Sequence, residues 1–456
     1  MADILYLTPE GAPHVFRPPV SATVGNDTLP DRRGYNFDGC SPGLLISKAI
    51  VKDHRIVFPG GGSYQLLVLP LIETMTPELL NKIEWLVRDG ANVAGIPPKK
   101  SPSLVNFPEC DQTVTATALK MWKSFDLPGN QQTITYGSGR IFWGSGFMVN
   151  DSTRPYPTYD VTSGLLKQMN VTEDFTSGGP VRYAHRILPG MEIYFVANKS
   201  NNVIITNCDF RSDHGTPELW NPLTGEIRKL ENFTRLGGHT GIEIQFDAHQ
   251  SYFVVFDTKN KDSGSKNNVK NFPDKNILKT LDGSWELTFD PNHGGPGEVV
   301  FDQLTDWTSR PEEGIKYYSG TVVYEKKFSI SREMLAQGHS LFINLGEVNC
   351  MAQVRLNGTD VGTLWTAPWN LDITKAVREG DNKLEISVVN LWPNRLIGDE
   401  KYPFDGISKG KWPDWLLENS PRNSKRSTFA TYSFYKKDAP LYKSGLVGPV
   451  SILAEE

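Results

Sequence analysis

Five acidic residues, Glu192, Asp209, Asp213, Glu218 and Glu347, fall in segments that read as strands or polar loops. Two carboxylates held roughly 5–10 Å apart can cleave a glycosidic bond, one protonating the leaving oxygen while the other activates water or attacks the sugar. No motif joins any two of the five, so the plain reading is of solvated or structural acids, and none is assigned a catalytic role. Asp209 to His214 places two acids and one histidine in a single loop, a set that could hold a metal but has the composition of an ordinary polar turn. Four cysteines, Cys40, Cys110, Cys208 and Cys350, lie far apart with no CxxC or zinc-like spacing. They read as buried thiols rather than a disulfide or metal framework. A cysteine nucleophile needs a tight strand-to-helix elbow and a distant histidine base. Cys40, in Phe37-Asp38-Gly39-Cys40-Ser41-Pro42, has no strong strand before it, and Cys110 follows Pro108-Glu109 in a loop. Gly60-Gly61-Gly62-Ser63 lacks the lysine of a phosphate loop and precedes a strand, which makes it a turn.

The elements that would position such groups change character along the chain. Residues 4–7 read as a strand and 41–52 as a helix. Leu66-Leu67-Val68-Leu69-Pro70 is a short apolar run of the kind buried in a parallel sheet. Thr76-Pro77-Glu78 supplies an N-cap, a proline at the first helical position and an early acid, and Gly90 supplies the stop. Residues 92–96 and 141–143 follow as strands, with helices at 114–124 and 161–169. This predicts an open α/β module over residues 1–175. From about residue 176 the period becomes two, which predicts a small antiparallel β-sandwich over 176–258. A polar run reads as a linker over 259–275. Strands then recur over 276–456, with the hairpin dipeptide Asn357-Gly358 among them, and a β-sandwich of jelly-roll type is the natural closure. The fold class is therefore multidomain α/β plus all-β.

At 456 residues the chain is long enough for two to four domains, and 38% hydrophobic residues allow real cores. Net charge is −5 with basic residues dispersed, which argues against nucleic-acid or anionic-membrane partners. No apolar run reaches the roughly 18 residues that a membrane-spanning helix needs. Met1-Ala2-Asp3 runs straight into Ile4-Leu5-Tyr6-Leu7, which is neither a signal peptide nor a tail. Such a start is expected of a chain cut from a longer one.

The third region resembles the sugar-binding, galactose-binding-like jelly roll of glycoside hydrolase family 2. The likeness rests on Tyr318-Ser319-Gly320-Thr321-Val322-Val323-Tyr324, Leu345-Gly346-Glu347-Val348 and Ala352-Gln353-Val354-Arg355-Leu356-Asn357-Gly358. It continues through Val361-Gly362-Thr363-Leu364-Trp365, Pro368-Trp369-Asn370-Leu371-Asp372 and Gly380-Asp381-Asn382-Lys383-Leu384. The ending Asn390-Leu391-Trp392-Pro393-Asn394-Arg395-Leu396-Ile397-Gly398-Asp399 narrows the likeness to α-L-rhamnosidases of glycoside hydrolase family 106. Glu192 to Asn198 and Pro217-Glu218-Leu219-Trp220-Asn221-Pro222 support it. The first module is similar to class I glutamine amidotransferases, here in a scaffold role. The family resemblance implies inverting hydrolysis of α-linked L-rhamnose on a (β/α)8 barrel with an active-site calcium. Such a barrel needs eight βα units in about 250 residues, and only three or four precede the change to β patterning. The barrel is therefore expected to lie outside this chain, and no calcium ligand or catalytic residue is assigned. The parent enzyme is expected to be periplasmic or secreted.

Sugar rings present C–H faces that stack on aromatic rings. The candidate carbohydrate contacts are Trp365, Trp369, Trp392, Asn394 and Arg395 in the motif blocks, and Trp412 and Trp415 in the loop beyond. The competing role for the first five is packing the sandwich and pinning a loop, and for the last two an interface to the missing barrel. The expected function is the carbohydrate-associated accessory half of an α-L-rhamnosidase-like enzyme acting on a rhamnose-containing glycan. The alternatives are a stand-alone carbohydrate-binding protein and a complete glycosidase of unfamiliar architecture.

Overall fold

Short apolar runs build the first sheet. The computed structural model describes residues 1–456 except 12–14, 26–29, 149–154, 261–262, 267, 337–339 and 456. Strands β1 (Ile4–Leu7), β2 (Phe37–Cys40), β3 (Leu66–Val68), β4 (Asn92–Ala94), β5 (Gln132–Tyr136) and β6 (Gly139–Trp143) form a six-stranded sheet in the order β5-β6-β4-β3-β1-β2. All pairings are parallel except the β5–β6 hairpin. The sheet is open, with β5 and β2 at its edges. Both faces are covered, which is why β1, β3 and β4 are buried along their whole length. Leu5, Leu7, Leu67 and Val93 pack with helices α1 (Pro42–Lys48), α2 (Pro77–Arg88) and α3 (Glu109–Trp122). Ile4, Tyr6, Leu66 and Val68 alternate onto the opposite face, against helix α4 (Tyr159–Gln168).

Local chemistry accounts for several boundaries. The Thr76 hydroxyl accepts from Leu79 N and donates to Glu10, whose carboxylate also takes Thr76 N at 2.6 Å. Helix α3 starts five residues earlier than the apolar period shows, because its first turn carries Glu109 and Asp111 toward the helix N-terminus. The β5–β6 hairpin escapes a reading by alternation because much of β5 is exposed. Its turn needs Gly137, where φ is +61° and an added Cβ would meet the Arg88 carbonyl oxygen at 2.4 Å. Gly137→Ala is expected to lower stability by about 1–3 kcal/mol. Urea unfolding checks this, and an unchanged midpoint would remove the argument.

The chain clusters into two compact units, residues 1–271 and 272–456. Within the first, residues 175–257 form two antiparallel sheets. One contains Phe175–Ser177, Ile204–Phe210, His239–Phe246 and Thr234–Leu236; the other contains Val181–Leu188, Met191–Asn198, Ser251–Asp257, Glu218–Trp220 and Ile227–Lys229. Tyr194 of the second sheet meets Phe210 of the first edge-on, ring centroids 5.0 Å apart. A buried ionic cluster lies beside this core. Arg211 reaches both Asp3 oxygens at 3.0 and 3.1 Å and Asp174 at 3.3 Å, and His185 Nδ1 lies 2.9 Å from Asp174. Asp3 precedes β1, so the cluster joins the α/β module to the sandwich within one unit.

The polar stretch read as a solvated linker over 259–275 is instead tied down where it is described. Lys266 N donates to Glu231 O at 2.7 Å, Phe233 N to Ser265 Oγ at 3.0 Å, and Asn232 N to Asn271 Oδ1 at 3.0 Å. Ser and Asn side chains here do the work of a strand ladder, a role that composition does not distinguish from solvation.

In the second unit, Glu298–Phe301, Trp285–Phe289, Thr321–Ile330, Gly380–Val389, Met351–Leu356 and Thr359–Leu364 form a six-stranded antiparallel sheet in that order. Lys275–Thr280, Ser451–Glu455, Ser340–Asn344 and Asn370–Asp372 form a four-stranded one. Their inward residues, among them Trp285, Tyr324 and Ile386 from one sheet and Ile343 and Ile452 from the other, share one core. Asn357 and Gly358 turn between two strands with φ of 55° and 80°, as a type I′ hairpin requires.

Candidate functional site

The long strand Gly380–Val389 delivers the chain to Trp392 and helix α5 (Pro393–Asp399), and a stretch of mostly irregular backbone follows over residues 400–443. The seven candidate contact residues separate into two groups here. Trp365 is 64% exposed, Trp392 52% and Trp412 51%. Trp392 stands edge-on to His293, ring centroids 6.4 Å apart. Trp369 is partly buried against the core, and Trp415 is half-buried with its indole N–H bonded to Asp405 O at 2.9 Å.

Asn394 and Arg395 face inward. Asn394 is 1% exposed, its amide donating to Tyr442 O and Ser444 Oγ and accepting from Tyr442 N. Arg395 is 8% exposed and donates to Ser427 Oγ and His293 O. Burial pushes the Arg395 pKa down, opposed by the negative charge of Asp399. Both side chains hold the loop in place.

Sequence reasoning passed over the residues that fix residues 400–443. Asp399 is 1% exposed and accepts from Ser427 N, Thr428 N and the Thr428 hydroxyl. Arg426 pairs with Glu400, and Arg422 forks onto both oxygens of Asp405 while reaching Thr428 O. Arg422, through its hydrogen bonds, holds the Asp405 carboxyl below the usual carboxylate range. An irregular backbone is thereby held by charge-assisted bonds. Phe429, presented by this framework, lies parallel to Trp412, ring planes 3° apart and centroids 5.9 Å apart. Its only signal in sequence was the density of aromatic residues.

Four of the five candidate acids are each engaged with a separate partner. Asp209 pairs with His239 at 2.7 Å, across two strands, rather than with His214. His214 lies 3.4 Å from Asp213 at the surface, as in an ordinary polar turn. Glu218 accepts from Trp220 Nε1 and Asn260 Nδ2, and Glu347 pairs with Lys443 at 3.3 Å in the other unit. Glu192 keeps one buried carboxylate oxygen without a partner. Among the described residues no three His, Cys, Asp or Glu side chains come together to hold a metal. For the calcium that the resemblance implies, no cluster of three acidic side chains that could hold it is present among the described residues.

Cys40 requires a correction. It ends strand β2 and stands directly before the Ser41 cap of α1, so a parallel strand does precede it. The strand was hidden by Asp38 and Gly39, which sit exposed at a sheet edge. The thiol nevertheless donates to Ser41 O, and burial pushes its pKa up to about 11. Burial pushes Cys208 up to about 12. Both are unionised thiols at neutral pH. Iodoacetamide at pH 7.5 should therefore modify neither in the folded protein, with half-buried Cys350 reacting first. Mass spectrometry reads the order, and rapid labelling of Cys40 would restore it as a nucleophile.

The profile of the α-L-rhamnosidase family matches residues 1–235, more than half of the chain. The chain belongs to glycoside hydrolase family 106. A second profile, described as a glycosyl hydrolase 2 galactose-binding domain-like module, matches residues 308–433 of this family 106 chain. The fold is similar to a rhamnosidase from Novosphingobium sp. PP1Y, with a TM-score of 0.79 and 29% identity over 100% of this chain and 39% of that one. A Formosa agariphila protein provisionally named β-glucuronidase is 25% identical across 99% of this chain and 55% of its own length. The chain thus spans 39% of one relative and 55% of the other. Among the described residues no helix is long and apolar enough to cross a membrane.

Proposed function

We propose that this family 106 chain is the carbohydrate-associated accessory portion of an α-L-rhamnosidase-like enzyme, with the catalytic (β/α)8 barrel contributed by sequence outside residues 1–456. In this reading residues 1–175 are an amidotransferase-like scaffold, 176–258 a small sandwich and 276–456 a jelly roll. The observation that carries it is topological. The parallel strands of the described residues are five, in one open six-stranded sheet whose sixth strand is antiparallel, and every other multi-stranded sheet is antiparallel. A (β/α)8 site sits at the carboxyl end of a closed ring of parallel strands. The separate partners of Asp209, Asp213, Glu218 and Glu347 support the same reading, since hydrolysis of a glycoside needs two carboxylates facing one bond. The names of the relatives make a rhamnoside or a glucuronide the glycan to test first.

The purified chain is expected to release no aglycone from an aryl α-L-rhamnoside above the buffer rate. The complete-glycosidase alternative expects saturable turnover. The binding-protein alternative draws on the exposure of Trp392 and Trp412, and it expects the isolated chain to bind glycan without a barrel.

A further inference from the structure

We propose that residues 400–443 carry a docking ledge for an acidic glycan, one whose sugar rings bear carboxylates. The proposal rests on the carbohydrate-associated reading above and extends it to the charge of the ligand. Three observations carry it.

The first is the ring pair. Trp412 and Phe429 share one orientation to within 3° and are 51% and 40% exposed. Trp415 stands edge-on to Phe429 at 6.1 Å, anchored through its indole N–H. Parallel, half-exposed rings offer flat apolar surface to the C–H faces of a sugar. The second is rigidity. Asp399, Asp405, Arg422 and Arg426 tie the loop at several points, and Gly406 packs so closely on the Ala430 carbonyl that a Cβ would lie 1.7 Å from its oxygen. A ledge fixed in advance loses little conformational freedom on binding.

The third is charge. The internal pairs consume Glu400 and Asp405 together with both arginines. The charged side chains that remain between residues 405 and 438 are five lysines, Lys409, Lys411, Lys425, Lys436 and Lys437, against Asp414, Glu418 and Asp438. All five lysines are exposed, in a chain whose net charge is −5. Lysine is a point charge that suits dispersed carboxylates. Both arginines, whose forks match single carboxylates bidentately, are already engaged inside the loop. The exposed leucines Leu416 and Leu417 leave a protein partner as the rival occupant, and the test separates the two.

The whole chain is titrated calorimetrically with a polymer alternating rhamnose and galacturonate, and with the same polymer after reduction of its carboxylates to neutral alcohols. The acidic polymer is expected to bind about tenfold tighter than the reduced one, with an affinity that falls as salt rises. Trp412→Ala should weaken both polymers about tenfold. The double variant Lys409→Gln and Lys411→Gln should abolish the preference while leaving the reduced polymer unaffected. Equal binding of both polymers overturns the acidic preference and leaves the carbohydrate reading standing. Binding of neither overturns the ledge as a glycan site and favours a protein partner, without touching the turnover test above. Tighter binding of DNA than of the acidic polymer overturns it as well, by reducing the charge effect to general polyanion attraction.

Discussion

Arg211→Met is expected to lower the stability of the first unit by about 3–5 kcal/mol. The guanidinium is the cation that the structure places against two carboxylates, Asp3 and Asp174, both fully buried. It also donates to Thr172 O at 2.6 Å. Methionine fills much of the volume but leaves the two acids facing each other with His185, beside Asp174, as the neighbour that remains. Burial, partly offset by Arg211, already holds the Asp3 carboxyl above its usual value of 3.8. A carboxyl with a raised folded-state pKa binds more protons when folded than when unfolded. Its contribution to stability is therefore complete below the unfolded value and is lost as pH rises through the folded one. Removing Arg211 raises the folded pKa further and widens that window upward. The gap between variant and wild type should consequently narrow on acidification from pH 8 toward pH 5. Urea unfolding at the two pH values measures it. A loss below about 1 kcal/mol, the range of exposed ion pairs, would mean that the cluster is not the junction described.

Asp399→Ala should have an effect of similar size on the second unit, about 3–5 kcal/mol, for a related reason. The carboxylate accepts two backbone amides and one hydroxyl from Ser427 and Thr428 and is the charge that balances buried Arg395. Without it Arg395 stays buried beside one serine hydroxyl and one carbonyl. The tie between α5 and residues 427–428 opens, and the Trp412–Phe429 ledge loses its support. Limited proteolysis should then cut between residues 405 and 430, with trypsin reading the lysines there. Protection equal to wild type would show that the pairs Arg426–Glu400 and Arg422–Asp405 hold the loop unaided.

Where burial imposed a period, the sequence disclosed the fold. The apolar run at Leu66 to Val68, the Thr76-Pro77 cap and the Asn357-Gly358 hairpin all appear as their chemistry requires. Elements without that imprint stayed hidden. Strand β2 contains Asp38 and Gly39 because its edge position leaves them exposed, and Val181–Leu188 fully buries His185 alone. The candidate site was legible in part. Indole side chains announce themselves by type, so Trp392 and Trp412 could be named. Whether Asn394 and Arg395 point at solvent or hold a loop depends on Tyr442, Ser444 and His293, up to 102 residues away in sequence. Asp399, Arg422 and Arg426 are unremarkable charges until the fold brings their partners to them.

If the catalytic barrel lies outside residues 1–456, as proposed, this chain alone turns over no glycoside. A discontinuous assay with an aryl α-L-rhamnoside, run at protein concentrations high enough to detect slow turnover, tests it most directly. Aglycone release indistinguishable from buffer is expected at every substrate concentration. Saturable release that disappears in a variant of any of the five candidate acids would contradict it.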